Sequence, residues 1–491
     1  MRKILFLSFI LGALMLSAAE KNLFIVTTDK IVGSSAKLAE FIDAKEARGF
    51  TVTLATESDY GAKDKQGFDR AGAIRAWLTE NTAPGDYLLL IGDANAQYGD
   101  VPMFIVWPRH TYSADQCFGF AVDCRAFESD APYADLSGDW DLNQNGQWGE
   151  HGLDDGVGGF DLDYELIVGR LSVHFDDTGE LDRILGHALD YMRAPQGSIA
   201  WRKKILLPAS FYYFKGQQML SYTVLNDMDG ADTAEWFIYN ILSQHGGFDV
   251  TRMYEKEGTT VSKYATDVPL TRDNLQSEWP KGYGMVFWFG HGLDKEVART
   301  FWNDDNEDGE VQNEELRQPL FIHSDDAPAI GAQSPAFVVA VSCEVGSAQT
   351  PWNLTHALLT EGSAIGMIGS TNVTPGDMTD YSDFESELDT STYGATNLGV
   401  NFFDELMNGE VAAKVFADVR RTVGTSPSIE TYAGKMMLNY YGDPTLSLNS
   451  SAADAPDEEI TPDEDTATDT ETPDIDTADN SSDGGCALTL L

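Results

Sequence analysis

From Asn22 onward the chain alternates short apolar runs with longer segments of helical period, and few architectures accept that pattern. NLFIVTTD (22–29), YLLLIGDA (87–94), YELIVGRLSV (164–173), KKILLPAS (203–210), YGMVFWFGHG (283–292), AFVVAVSC (336–343) and SAIGMIGST (363–371) are apolar at most positions. Such runs suit strands buried on both faces rather than strands with one wet face. Between them, SAKLAEFIDAKEARG (35–49), FDRAGAIRAWLTENTA (68–83) and TGELDRILGHALDYM (178–192) place apolar residues at helical spacing. The alternation predicts an α/β fold, a three-layer sandwich of mostly parallel sheets covered by helices.

A long irregular stretch, Gln97 to Asp163, interrupts the pattern, and Pro195 precedes a fresh run of strands. We therefore expect two α/β subdomains, residues 20–195 and 196–450, the second carrying the chemistry described below. Residues 1–19 combine Arg2 and Lys3 with an apolar run and then small residues, the pattern of a cleaved secretory leader. After Ser451 the chain holds 13 acidic residues and no basic one, so residues 451–491 are expected to form a disordered acidic, Thr/Pro-rich tail. Its SSDGGCALTLL end would allow cell-surface attachment through Cys486. A formal charge of −47 argues against nucleic acid or anionic lipid as partner and favours cations. The expected location is outside the cell, secreted or at the cell surface.

Export bears on the four cysteines. Cys117 and Cys124 share one short irregular stretch and are expected to form a local disulfide in an oxidising compartment. Cys486 lies in the tail, which leaves Cys343 unpaired at the exit of an apolar strand. A second apolar strand exits at His291–Gly292. Ligands of open α/β sheets sit outside the carboxyl ends of strands, so neighbouring strands would bring thiol and imidazole to one rim. An imidazole can take the thiol proton during attack or pair with the thiolate beforehand. The backbone N–H groups of Gly292 and Cys343 are placed to face the oxyanion that forms when sulfur attacks an amide.

DDNEDGEVQNEE follows the histidine strand and matches the twelve-residue calcium loop. Counted from Asp304, the ligand positions fall on Asp304, Asn306, Asp308, the Glu310 carbonyl, Gln312 and Glu315, with Gly309 at the turn. A variant loop offers Asp139, Asp141, Asn143, Asn145 and Glu150, with Gly146 at the turn. Neither supplies the His/Cys set that zinc prefers, so the expected cofactor is Ca2+.

The order of LFIVTTD, EFIDAKEARGF, YLLLIGDA, YELIVGRLSV, GMVFWFGHG, FVVAVSCEVG, SAIGMIGST and NYYGDPTLSL resembles the gingipain-type cysteine peptidase family of the caspase and legumain clan. The resemblance spans about residues 22–448. It implies a caspase-like fold and endopeptidase activity on protein or peptide substrates, with Cys343 as nucleophile and His291 as general base. It also implies an acidic residue in a primary substrate pocket, for which Asp229 and Asp232 are candidates. Relatives can carry an acidic residue beyond the strand matching KKILLPAS; here the sequence runs on as Phe211, Tyr212 and Tyr213, so a Cys–His dyad is expected. Two other functions fit the same residues: an inactive calcium-binding surface or adhesion module, and a sortase-like transpeptidase.

Overall fold

The computed structural model describes residues 21–113, 124–175, 177–218, 223–331, 334–374, 381–387, 391 and 393–454. The leader, Cys117 and nearly all of the acidic tail lie outside the described residues. Ten strands form a single sheet, the seven apolar runs among them: β1 (Lys21–Val26), β2 (Phe50–Ala55), β3 (Tyr87–Gly92), β4 (Ile167–Ser172), β5 (Lys204–Ala209), β6 (Asp249–Tyr254), β7 (Met285–Phe289), β8 (Ala336–Val341), β9 (Ala364–Ser370) and β10 (Leu438–Gly442). Their spatial order is β6-β5-β7-β8-β9-β10-β4-β3-β1-β2.

Each neighbouring pair is parallel except β9 and β10, which run antiparallel. The two halves expected from the sequence are therefore contiguous blocks of one sheet. They are joined where Tyr441 of β10 pairs with Arg170 of β4. Because β10 reverses the direction, the carboxyl ends of β5 to β9 share one edge and those of β1 to β4 the other.

Every residue of β7 and β8 is buried, as continuous apolar runs require when helices cover both faces. The covering is tight: a Cβ on Gly399, in the helix Ala395–Met407, would stand 2.5 Å from the Phe287 ring and 2.9 Å from Val339. The helix Thr178–Arg193 starts where Asp177 accepts hydrogen bonds from the backbone N–H groups of Gly179 and Glu180. Among the described residues no helix is long and apolar enough to cross a membrane.

The irregular insertion after β3 is anchored by charge as well as by packing. Arg170 of β4 is fully buried and meets both carboxylate oxygens of Asp130, at 2.7 and 2.6 Å, while a third guanidinium nitrogen donates to the Val101 carbonyl. At the other end, buried Lys45 binds Asp443 and Thr445, which fixes the GDPT turn after β10.

Candidate active site

Strand register builds the site. In the parallel pair β7–β8, Phe289 stands opposite Val341 as the last matched residues, and the Gly290 N–H donates to the Val341 carbonyl at 3.2 Å. Two residues beyond Phe289 is His291, and two beyond Val341 is Cys343. Both reactive residues thus leave the same edge at the same height. His291 opens a short antiparallel hairpin, His291–Leu293 with Glu296–Ala298, extended by Leu320–His323. Gly292 is required by close approach: a Cβ there would lie 2.3 Å from the Cys343 carbonyl oxygen and 2.8 Å from its nitrogen. The backbone N–H groups expected to hold an oxyanion therefore belong to chain segments in direct contact.

A ridge leaves β5 as Phe211–Tyr213 and crosses above the histidine. His291 Nε2 lies 3.0 Å from the Tyr212 carbonyl oxygen. A carbonyl only accepts, so Nε2 carries the proton and Nδ1 keeps the lone pair that a general base needs. The hydrogen-bond partner of Nε2 is thus a backbone carbonyl rather than an acidic side chain. The rings of Tyr212 and Tyr213 stand edge-on to the imidazole, with centroids 5.6 and 5.4 Å away.

Burial lowers the His291 pKa, and its bond to the Tyr212 carbonyl opposes that shift. Burial pushes the Cys343 thiol up to about 11, against a hydrogen bond from the Thr374 backbone that lowers it. At neutral pH the resting pair is thus thiol and neutral imidazole, not thiolate and imidazolium. Of the two routes open from the sequence, proton transfer during attack fits these shifts.

The turn after Cys343 is held by Glu344 in the left-handed region, φ 56°, an uncommon conformation for a residue with a side chain. Its N–H donates to the Asn372 carbonyl at 3.2 Å, and the Gly346 N–H donates to Ser370 at 2.9 Å. Burial raises the Glu344 carboxyl, and the negative charges of Asp294 and Glu128 add to the shift. The rim beside the thiol is therefore acidic.

The two residues expected in a substrate pocket lie at the start of the helix Gly230–Asn240. Asp229 is buried and caps the helix Gly230–Asn240 by accepting from the Ala231 N–H; burial raises its carboxyl to about 6. Asp232 accepts from the Tyr264 hydroxyl at 2.6 Å and pairs with Lys263 at 2.9 Å. Cys124 is buried, and its expected partner Cys117 falls outside the described residues. Cys343 is a free thiol.

In the loop after the histidine hairpin, carboxylate oxygens of Asp305, Asp308 and Glu315 lie within 4.8 Å of one another. Asp305, rather than Asp304, joins this group and accepts from the Gly309 N–H at 3.0 Å. Glu307 and Gly309 are both left-handed, at φ 75° and 73°. Asn306 accepts from the Asp308 N–H, Gln312 donates to Asp308, and the Glu310 N–H donates to Asp308.

In the earlier loop Asp139 accepts from the Asp141 N–H, and Asp141 accepts from the N–H groups of Asn145 and Gly146. Asn143 and Asn145 both donate to Glu150, at 2.9 and 2.6 Å. Asp154, missed in the sequence, is fully buried beside them and accepts from the N–H groups of Asn143 and Glu150. The adjacent acidic pair Asp154–Asp155, just beyond the loop motif, was the available signal.

Comparison with curated proteins returned no match. Among solved structures, the chain is similar to the Arg-specific cysteine proteinase gingipain R, at 16% identity and TM-score 0.55, covering 88% of this chain and 79% of that one. It is also similar to a complex of Porphyromonas gingivalis RgpB pro- and mature domains, at 15% identity and TM-score 0.54, covering 88% and 80%. At such identities the likeness concerns the fold. The model of peptidase family C25 matches residues 17–449, nearly the whole described chain. With His291 and Cys343 in register at one sheet edge, the chain belongs to peptidase family C25, the gingipain family of cysteine peptidases.

Proposed function

We propose that this protein is an exported, calcium-stabilised endopeptidase that cleaves internal peptide bonds of protein or peptide substrates through Cys343 and His291. The observation that carries the reading is the common height of the two residues beyond the paired Phe289 and Val341, with the imidazole oriented by the Tyr212 carbonyl. In the reaction His291 Nδ1 takes the thiol proton as sulfur attacks the substrate carbonyl. The N–H groups of Gly292 and Cys343 receive the negative oxygen. The imidazolium then protonates the leaving amine, and water, deprotonated by the same imidazole, releases the acyl group. Cys343→Ala tests this: cleavage of a protein substrate at internal bonds should disappear, and hydrolysis that survives the substitution refutes it.

Calcium is proposed for the loop at 305–315, whose converging donors are hard oxygens without nitrogen or sulfur. The loop is placed to act on the site. Its ends are tied by the pairs Phe301–Arg317 and Trp302–Leu316, and its Val311 packs with Phe211 and Phe214, which flank the Tyr212 ridge. The Thr300 N–H also donates to Ser210, at the root of that ridge. An ion that orders this loop would stiffen the carbonyl that aims His291. Export is proposed from the leader-like first 19 residues, and attachment at the cell surface from the acidic tail.

A further inference from the structure

We propose that Tyr212 is a positioning residue for both members of the dyad: its carbonyl aims His291, and its phenol pins the strand end that carries Cys343. The proposal rests on the cysteine-peptidase reading above. The Tyr212 hydroxyl donates to the Val341 carbonyl at 2.8 Å, two residues before Cys343. That carbonyl also accepts from the Gly290 N–H, one residue before His291. The phenol therefore sits where both catalytic strands end, while the carbonyl of the same residue holds Nε2 of the imidazole 3.0 Å away.

The geometry explains why the side chain matters at a position whose catalytic contact is made by backbone. Any residue can offer a carbonyl to His291. Only a long side chain with a terminal donor can reach the end of β8, and a half-buried phenol gains such a partner there. The ridge, β7 and β8 are thereby locked as three chain segments, so the imidazole cannot drift relative to the thiol. Without the hydroxyl, the Val341 carbonyl keeps only the Gly290 bond, and the ridge loses its direct tie to the end of β8.

Tyr212→Phe keeps the ring and the carbonyl and removes one O–H. The full chain is assayed as wild type, Tyr212→Phe and Cys343→Ala on a fluorogenic peptide library. Alkylation of Cys343 by iodoacetamide is followed against pH, and thermal melting is recorded. We expect kcat to fall about ten- to a hundredfold with KM changed by less than about twofold, the pattern of a lost orienting contact. A carbonyl that accepts from Nε2 favours the protonated imidazole, so loosening it moves the acid limb of kcat/KM, and of alkylation, to lower pH.

A variant that melts earlier but keeps the wild-type kcat and acid limb overturns the proposal, since a purely structural bond would behave that way. If the wild type cleaves no peptide, the peptidase reading fails, while the alkylation profile still reports on Tyr212. If Tyr212→Phe does not fold, the 15N shifts of His291 in the wild type decide. Protonation at Nε2 supports the arrangement, and protonation at Nδ1 overturns it.

Discussion

Gly292→Ala puts the geometry of the site under the most direct strain. An alanine Cβ at this position would stand 2.3 Å from the Cys343 carbonyl oxygen, 2.8 Å from the Cys343 nitrogen and 2.8 Å from the Ser342 Cβ. Ordinary carbon–oxygen contact begins at about 3.3 Å, so the shortfall is about 1 Å. Two of the three opposing atoms are backbone, and the strand behind them is buried at every residue, so no side chain can swing away. The rim must shift by roughly that shortfall, which separates the oxyanion N–H groups and turns the thiol. A misplacement of about 1 Å costs on the order of a hundredfold in rate, or about 2.7 kcal/mol of activation free energy.

The assay is kcat and KM on a cleavable peptide, with a thiol-directed peptidyl probe to count competent sites. The control is Gly186→Ala, in the helix Thr178–Arg193, where an added Cβ meets nothing within 4 Å. That change should leave kcat intact and stabilise the fold by about 0.5–1 kcal/mol, as expected when Ala replaces Gly in a helix interior. A Gly292→Ala enzyme within about twofold of wild type, with unchanged melting, would refute the contact between Gly292 and Cys343 and the oxyanion site built on it.

Buried His174 is held neutral, its pKa lowered to about 3 by burial first and then by His356, against the carboxylate of Glu180. The unfolded chain takes up this proton near pH 6.5, so stability from this residue is present above 6.5 and declines as pH falls toward 3, by about 4–5 kcal/mol in all. Urea unfolding between pH 7 and 4 should show the slope, and His174→Asn should flatten it. Arg170→Met leaves Asp130 buried without its cation and should cost about 3–5 kcal/mol by denaturant titration. Adding Asp130→Leu should recover much of that loss. Chelation by EGTA should lower both melting temperature and peptidase rate, with recovery on adding calcium and a weaker response in Asp308→Asn; a wild type indifferent to chelation refutes the calcium reading.

Much of the architecture was legible because its signals are local. Apolar runs such as MVFWF and AFVVAV announce strands buried on both faces, and periodic segments such as TGELDRILGHALDYM announce the helices that cover them. The places of His291 and Cys343 were legible for the same reason, since a strand exit is visible in the sequence. The loop at 304–315 was legible as a turn rich in oxygen donors, though only the folded loop shows that Asp305 stands with Asp308 and Glu315.

Other features depended on pairings between distant segments. The sequence does not say that both halves share one sheet, because strand order is set by long-range pairing; the reversal at β10 rests on contacts such as Met367 with Tyr441. Asp229 and Asp232 carry the right charge for a substrate pocket, and only the fold shows one capping a helix and the other paired with Lys263.

The amino-acid sequence by itself determined which residues could be nucleophile and base, since thiol and imidazole are properties of side chains. The tertiary structure decided what aims them. The partner of His291 is the carbonyl of Tyr212, 79 residues away, and a backbone carbonyl leaves no mark in a sequence because every residue has one. Equally, only the folded register of β7 against β8 puts His291 and Cys343 at the same height, and only burial sets both as uncharged at neutral pH.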